Sequence, residues 1–164
     1  QQQQRHTHTH TPRKMDAEVL LGMVFQYTAR DYNTLVRDVR LQGVDVARRT
    51  LQCAFRCTAP YLNPLRRLHG GCVATLVDVV GTAAILATDK HNRPGVTTDL
   101  NVSYMEEAEE DQELLLTAKV LKCGKDLAFV QVDFANLEGT ILFQGRMTKC
   151  TSATPSIMTL AAKL

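Results

Sequence analysis

Residues 68–78 read Leu-His-Gly-Gly-Cys-Val-Ala-Thr-Leu-Val-Asp and put a histidine, two glycines and one carboxylate on a short stretch of chain. Val79 to Ala87 follow with almost nothing polar, so Asp78 lies inside a segment patterned for burial. A buried carboxylate is costly unless it is paired, hydrogen-bonded or neutralised. One retained there is a candidate for chemistry. It is equally readable as a structural Asp satisfied by a neighbouring donor.

His69-Gly70-Gly71 reads as the start of the helix that carries Asp78. A helix N-terminus has free N–H groups and a dipole that favours negative charge. Gly70 and Gly71 have no side chains, so a ligand can approach the backbone closely. That suits a developing oxyanion on a polarised carbonyl. Taken alone, the glycine pair reads more readily as a flexible connection into the helix. Asp78 follows Gly70 by eight residues, which is about 12 Å along a helix axis. The two cannot serve one reacting atom from a single helix. If both act on one substrate, the second comes from another copy of the chain, as a two-fold dimer allows. No GxSxG elbow, P-loop or GxGxxG is present. Asp78, His69, Asn63 and hydroxyls such as Thr97 suit water activation or carboxylate attack at a polarised carbonyl.

The elements that hold these residues follow from pattern. Asp16 reads as the N-cap of a helix through about Arg30, with Leu20, Leu21, Val24 and Tyr27 as its apolar stripe. Residues 35–57 read as two strands around a turn near Gly43-Val44-Asp45. Pro60 and Pro64 bracket a loop into His69. Gly70 to Thr88 is a helix apolar nearly all round, expected to be buried on most sides. Four strand-like runs follow: 96–104, 113–122, 127–136 and 140–149. In the second of these, Leu115, Thr117, Lys119 and Leu121 share one face. Gly124-Lys125 and Glu138-Gly139 mark hairpin turns. The expected fold is α+β: one sheet, an antiparallel meander, curled round a long central helix in the hotdog manner. The outer sheet face is expected to need a partner.

Composition narrows the function. The chain has 164 residues, room for one domain with a real core. Net charge is +2 and aromatics are 5%, so neither a basic surface nor a stacking platform for nucleic acid is present. No apolar run approaches the roughly 20 residues of a bilayer span. The five cysteines include no CxxC pair and no histidine at ligand spacing, so no metal is expected and a reducing compartment fits. Residues 1–14 are polar and of low complexity, readable as a disordered extension or expression remnant. They are basic and lack acidic residues, so a transit peptide stays open, although the apolar face of one is missing. The single domain is placed at 15–152 and a tail at 153–164.

From about Asn63 to Lys149 the chain resembles the hotdog-fold acyl-CoA thioesterases, including phenylacetyl-CoA-type members. The matching pieces are Asn63 six residues before His69, LHGG at 68–71, ATLVD at 74–78, PGV at 94–96, NVSYM at 101–105, GKDLAF at 124–129, QGR at 144–146 and TK at 148–149. The resemblance implies hydrolysis of a fatty acyl-CoA or aryl-acyl-CoA thioester to the acid and free CoA. It implies that the Gly70 N–H binds the thioester carbonyl, that Asn63 and His69 support that end, and that Asp78 comes from the facing subunit as general base or nucleophile. Thr97 stands where close relatives carry Ser; its hydroxyl would hold the water, and its added methyl bears on the water's place or the acyl preference. CoA contacts are implied at Asp99, Tyr104, Met105, Lys122, Cys123, Gly124, Lys125 and Leu127, with Lys122 and Lys125 toward the phosphates. CoA is part of the substrate, and no separate cofactor is implied. Glu106-Glu107-Ala108-Glu109 replaces a Pro and a basic residue of relatives, and an acidic loop there should repel phosphates. A homodimer or a homotetramer, as a dimer of dimers, is implied.

Two rival functions stand beside this one: a hotdog acyl-CoA hydratase or dehydratase, and a non-catalytic acyl-CoA-binding module. Ala162-Lys163-Leu164 resembles a peroxisomal address of the SKL type, with cytoplasm and mitochondrion as alternatives.

Overall fold

The computed structural model describes residues 37–156 and Thr159. The helix expected over 16–30, the first 14 residues and the Ala162-Lys163-Leu164 end lie outside the described residues. The chain runs β1 (Arg40–Asp45), β2 (Thr50–Arg56), a 3-10 turn (Ala59–Tyr61), α1 (Gly70–Thr88), β3 (Val96–Tyr104), β4 (Glu113–Cys123), β5 (Leu127–Ala135) and β6 (Ile141–Cys150). The strands form one sheet in the order β1-β2-β4-β5-β6-β3, every pairing antiparallel. α1 packs against β2 to β6, so the sheet wraps the helix as the α+β reading expects.

Two local expectations need correction. The β1–β2 turn is at 46–49, not at Gly43-Val44-Asp45. The Asp45 side chain accepts the Arg48 N–H at 2.9 Å, and Arg49 adopts a left-handed φ of 57°. An Asp side chain can close a turn as well as glycine can. Gly43 instead marks a β-bulge, where the β1–β2 register slips between Leu41 and Gly43. Nor is the 96–149 region a simple meander. β4, β5 and β6 are, but β3 crosses to pair with β6, and β4 pairs with β2. That crossing leaves β1 and β3 as the sheet edges.

Alternation on β4 sets the layers. Leu114, Leu116, Ala118 and Val120 are buried toward the helix, whereas Leu115 and Leu121 are exposed. The period-2 set read from the sequence is therefore the outer face of the sheet. The helix spans 19 residues, and its mean hydropathy of 1.8 meets the length and composition of a membrane span, contrary to the sequence expectation. It is nonetheless 67% buried within its own protein, as a core helix should be.

The helix is not covered on every side. Gly71, Thr75, Asp78 and Thr82 are all incompletely buried. Their spacing puts them on one helical face. This stripe runs along the middle of an otherwise apolar helix.

The helix and sheet meet closely at one point. A Cβ placed on Gly145 of β6 would lie 2.6 Å from Cγ1 of Val77, the residue before Asp78. Only a glycine allows that approach. Gly145→Ala should therefore destabilise the fold by about 1–3 kcal/mol, the usual cost of overpacking. Chemical denaturation will show it, and Val77→Ala in the same chain should recover part of the loss.

Candidate active site

Three groups of residues lie along α1. The first is at its N-terminus. His69 is the N-cap, with extended backbone (φ −66°, ψ 129°), and its Nδ1 accepts the Gly71 N–H at 2.9 Å. A ring nitrogen that accepts must be unprotonated, so the neutral ring carries its proton on Nε2. The Val73 N–H is taken by the His69 carbonyl at 3.1 Å. Among the described residues the Gly70 and Cys72 amides have no acceptor. Cys72 is buried, whereas Gly70 is partly open. Gly70 is thus the first-turn donor available to a ligand.

Asn63 supports this end from below. Its Oδ1 accepts the Leu65 and Arg67 N–H groups at 2.9 and 3.1 Å, and its own N–H goes to the Arg67 carbonyl at 2.7 Å. The closed turn delivers the chain to His69, whose N–H meets the Tyr61 carbonyl at 2.8 Å. Tyr104 reaches the same end: its hydroxyl donates to the Gly70 carbonyl at 2.9 Å. Tyr104 and Met105 are both exposed. Tyr104, expected only as a CoA contact, also fixes the backbone that presents the Gly70 amide.

The second group surrounds Asp78. The Thr97 hydroxyl on β3 donates to Asp78 Oδ1 at 2.7 Å, and Lys149 Nζ on β6 meets the same oxygen at 3.2 Å. Oδ2 has no hydrogen-bond partner among the described residues. The Asp78 side chain is 45% exposed, so the expectation of a buried carboxylate is corrected. One oxygen is held and the other faces outward on the uncovered stripe. Its two donors satisfy one oxygen, as a structural Asp requires, and leave the other without a partner among the described residues.

The third group is at the helix C-terminus. A cleft of about 480 Å³ there is lined by Arg49, Lys90, His91, Arg93 and Lys125, with Asp89, Cys123 and Gly124. Burial alone would raise the Asp89 carboxyl. Arg93 donates to it through its side chain and its backbone N–H and holds it below the usual range. Arg93 is thereby spent on Asp89, leaving Arg49, Lys90 and Lys125 as the surplus positive charge. Of the expected CoA contacts, Cys123, Gly124 and Lys125 line this cleft, and Leu127 closes its hairpin by accepting the Gly124 N–H at 2.8 Å. Lys122 is not among its lining residues; it is exposed on β4 opposite Phe129. Asp99 is exposed on β3, past a bulge that follows Thr97.

The acidic loop also has structural partners. Arg67 pairs with Glu107 and Glu109 at 3.0 and 3.2 Å, and Arg66 pairs with Glu110. Glu107 and Glu109 share the single Arg67 and the adjoining Glu110 takes Arg66, so the loop braces the Asn63 turn and still keeps a net negative charge. Lys149 was missed from the sequence as a site residue. A signal was present: Gly145, Met147 and Lys149 share the inward alternation of β6, and a lysine at an inward position demands a partner.

Three buried thiols are held in the protonated form. Burial pushes Cys53, Cys57 and Cys72 up from 9.0 to about 12, with Glu113 adding at Cys57 and Cys57 adding at Cys72. Cys72 sits in the first turn of the helix, yet burial disfavours its thiolate. Among the described residues no cluster of three His, Cys, Asp or Glu is placed for a metal ion.

A helix wrapped by one antiparallel sheet, with a partner-free amide at its start and a half-exposed carboxylate on its open stripe, fits the hotdog thioesterase class, and the comparisons with known proteins show that class. The Thioesterase superfamily profile matches residues 66–143. Acyl-coenzyme A thioesterase 13 of Homo sapiens is 38% identical over 122 residues, 74% of this chain and 85% of its own length. The Mus musculus protein of that name is 42% identical over 107 residues, 65% of this chain and 76% of its own. The crystal structure of zebrafish thioesterase superfamily member 2 superposes with a TM-score of 0.73 at 33% identity, covering 79% of this chain and 94% of that one. The chain belongs to the thioesterase superfamily.

The raised thiols make stability depend on alkaline pH. They stay protonated in the folded chain and ionise near 9.0 once unfolded. Their contribution is complete below that value and is lost as pH rises toward about 12. Denaturant melts across this window should show the fall, and Cys53→Ala, Cys57→Ala and Cys72→Ala together should flatten it.

Proposed function

We propose that the chain hydrolyses acyl-CoA thioesters to the free acid and CoA at a site shared by two copies. The observation that carries this is the split along α1. An open Gly70 amide and an open Asp78 oxygen lie eight residues apart, about 12 Å on one continuous helix. A two-fold arrangement of antiparallel helices would bring Gly70 of one copy to Asp78 of the other and cover the polar stripe.

In that arrangement the thioester oxygen accepts the Gly70 N–H. Asp78 Oδ2 takes a proton from water, and the water oxygen attacks the carbonyl carbon. Thr97, which gives its own hydrogen to Asp78, offers lone pairs to the same water. The oxyanion sits on the Gly70 amide. As the C–S bond breaks, the leaving thiolate receives the proton from Asp78. If Asp78 attacks directly, an acyl-aspartyl anhydride forms and water then opens it. Single turnover in oxygen-18 water separates the two, because only the second route puts label into Asp78.

The basic cleft suits the nucleotide end of CoA. It adjoins Asp89, eleven residues beyond Asp78, about 16 Å along the helix. An extended pantetheine arm covers that span. The hydratase and simple binding readings have no such observation in their favour. The outer sheet face, with Leu115, Leu121, Leu127, Phe129 and Ile141 exposed, supports pairing of dimers into a tetramer.

Thiol release from a panel of acyl-CoAs should show turnover, and Asp78→Asn should lower kcat by about 10²–10⁴-fold, the usual weight of a general base. Gly70→Pro is a sharper probe. Proline at the first helical position keeps the helix and deletes the N–H, and the extended His69 suits a following proline. It should cost about 10²–10³-fold in kcat with stability retained. Light scattering showing an active monomer would refute the shared site.

The phosphate assignment has its own test. Arg49→Ala with Lys125→Ala should raise KM for acyl-CoA about tenfold, as loss of charge-assisted hydrogen bonds does. Acyl-pantetheine, which lacks the nucleotide, should be unaffected.

A further inference from the structure

We infer that Lys149 is a positioning residue that aims Asp78, an inference that rests on the thioesterase reading of the site. Lys149 is 5% exposed although it carries a charge. A buried ammonium needs a counter-charge and hydrogen-bond acceptors. Its ion-pair partner among the described residues is Asp78. It also donates to the Thr82 hydroxyl at 2.7 Å, and that hydroxyl donates to the Asp78 backbone carbonyl at 2.6 Å. Asp78 Oδ1, Lys149 Nζ, Thr82 Oγ1 and the Asp78 carbonyl thus close a ring across one turn of α1.

The lysine stem is fixed as well. A Cβ on Gly95, which has a φ of +71°, would lie 3.1 Å from the Lys149 Cβ, so the β3 entrance packs against the base of the side chain. The ammonium therefore comes from β6 along a defined path and pins the helix face that carries Asp78. Thr97 approaches the same Oδ1 from β3. With two donors on Oδ1, the carboxylate cannot spin to exchange its oxygens without breaking both contacts. Oδ2 is the oxygen left for water, and its direction is set by two strands and one helix at once. Lys149 acts on the substrate only through Asp78.

This role differs from that of a plain core ion pair. A packing role would lower stability and affect substrate binding and turnover without order. An aiming role lowers kcat, spares KM and vanishes once Asp78 is no longer a base. Positional errors near 1 Å cost about 10²-fold in rate. Lys149→Met keeps the stem and removes the charge. It should lower kcat about 10²-fold with KM within about threefold. Combined with Asp78→Asn it should add almost nothing to the Asp78→Asn loss, because the two act as a unit. Ethylammonium added to Lys149→Ala should restore part of kcat, and ethanol should not.

Thr82→Val covers the case in which the lysine variants do not fold. It removes one acceptor of the ammonium and should lower kcat about fivefold, the weight of one hydrogen bond. Unchanged kcat in Lys149→Met, or losses that multiply with Asp78→Asn, would overturn the assignment. A wild-type chain that turns over no acyl-CoA would overturn the functional reading instead. The Asp78 carboxylate carbon resonance then decides the Lys149 contact: it should shift or broaden in Lys149→Met, and an unchanged resonance would refute it.

Discussion

The distance between Gly70 and Asp78 governs the rest of the molecule. Both belong to one unbroken helix, and an α-helix does not stretch. The amide that can hold an oxyanion and the carboxylate that can activate water are therefore fixed about 12 Å apart in every copy. No rotamer change closes that gap. A site that uses both must be made from two chains, and the incompletely buried stripe at Gly71, Thr75, Asp78 and Thr82 is where the second chain would lie.

The surrounding structure serves that rigid element. Small side chains let the sheet come close to it, and Gly145 opposite Val77 is the tightest such point. The same strand then carries Lys149 to Asp78. One end of the helix is organised by His69, Asn63 and Tyr104, so that a single first-turn amide stays open. The other end is closed by Asp89 and Arg93 beside a basic cleft. Carboxylate and basic cleft lie in sequence along one helix, so a thioester held at Asp78 by the other copy's Gly70 would extend its CoA arm toward the cleft.

Much of this was legible in the sequence because it rests on local rules. The helix limits at Gly70 and Thr88 followed from the glycine pair and the apolar run, and the later strands from alternation. Non-local facts were not legible. The pairing of β3 with β6 depends on a crossing that no short window reveals. The β1–β2 turn was misplaced because the Asp45 side chain closes it, while Gly43 drew attention as the more obvious turn residue. Asp78 was read as buried because its neighbours in sequence are apolar. Its exposure follows from which helix face the sheet leaves uncovered. Lys149 was hidden because its partner lies 71 residues away, although its inward position on β6 was a visible clue. The charge of the acidic loop was visible, and its pairing with Arg66 and Arg67 was not.

The central claim is that one chain supplies the amide and another the carboxylate. Mixing two inactive chains tests it most directly. Chains carrying only Asp78→Asn and chains carrying only Gly70→Pro are unfolded together in equal amounts and refolded, and thioester hydrolysis is measured. In a shared-site dimer, half of the refolded dimers are hybrids, and each hybrid has one intact site of two. The mixture should recover about a quarter of wild-type activity, although neither parent is active. If the mixture stays as inactive as its parents while native mass spectrometry, which resolves the two chains by mass, shows hybrids formed, both groups act within one chain and the account is wrong.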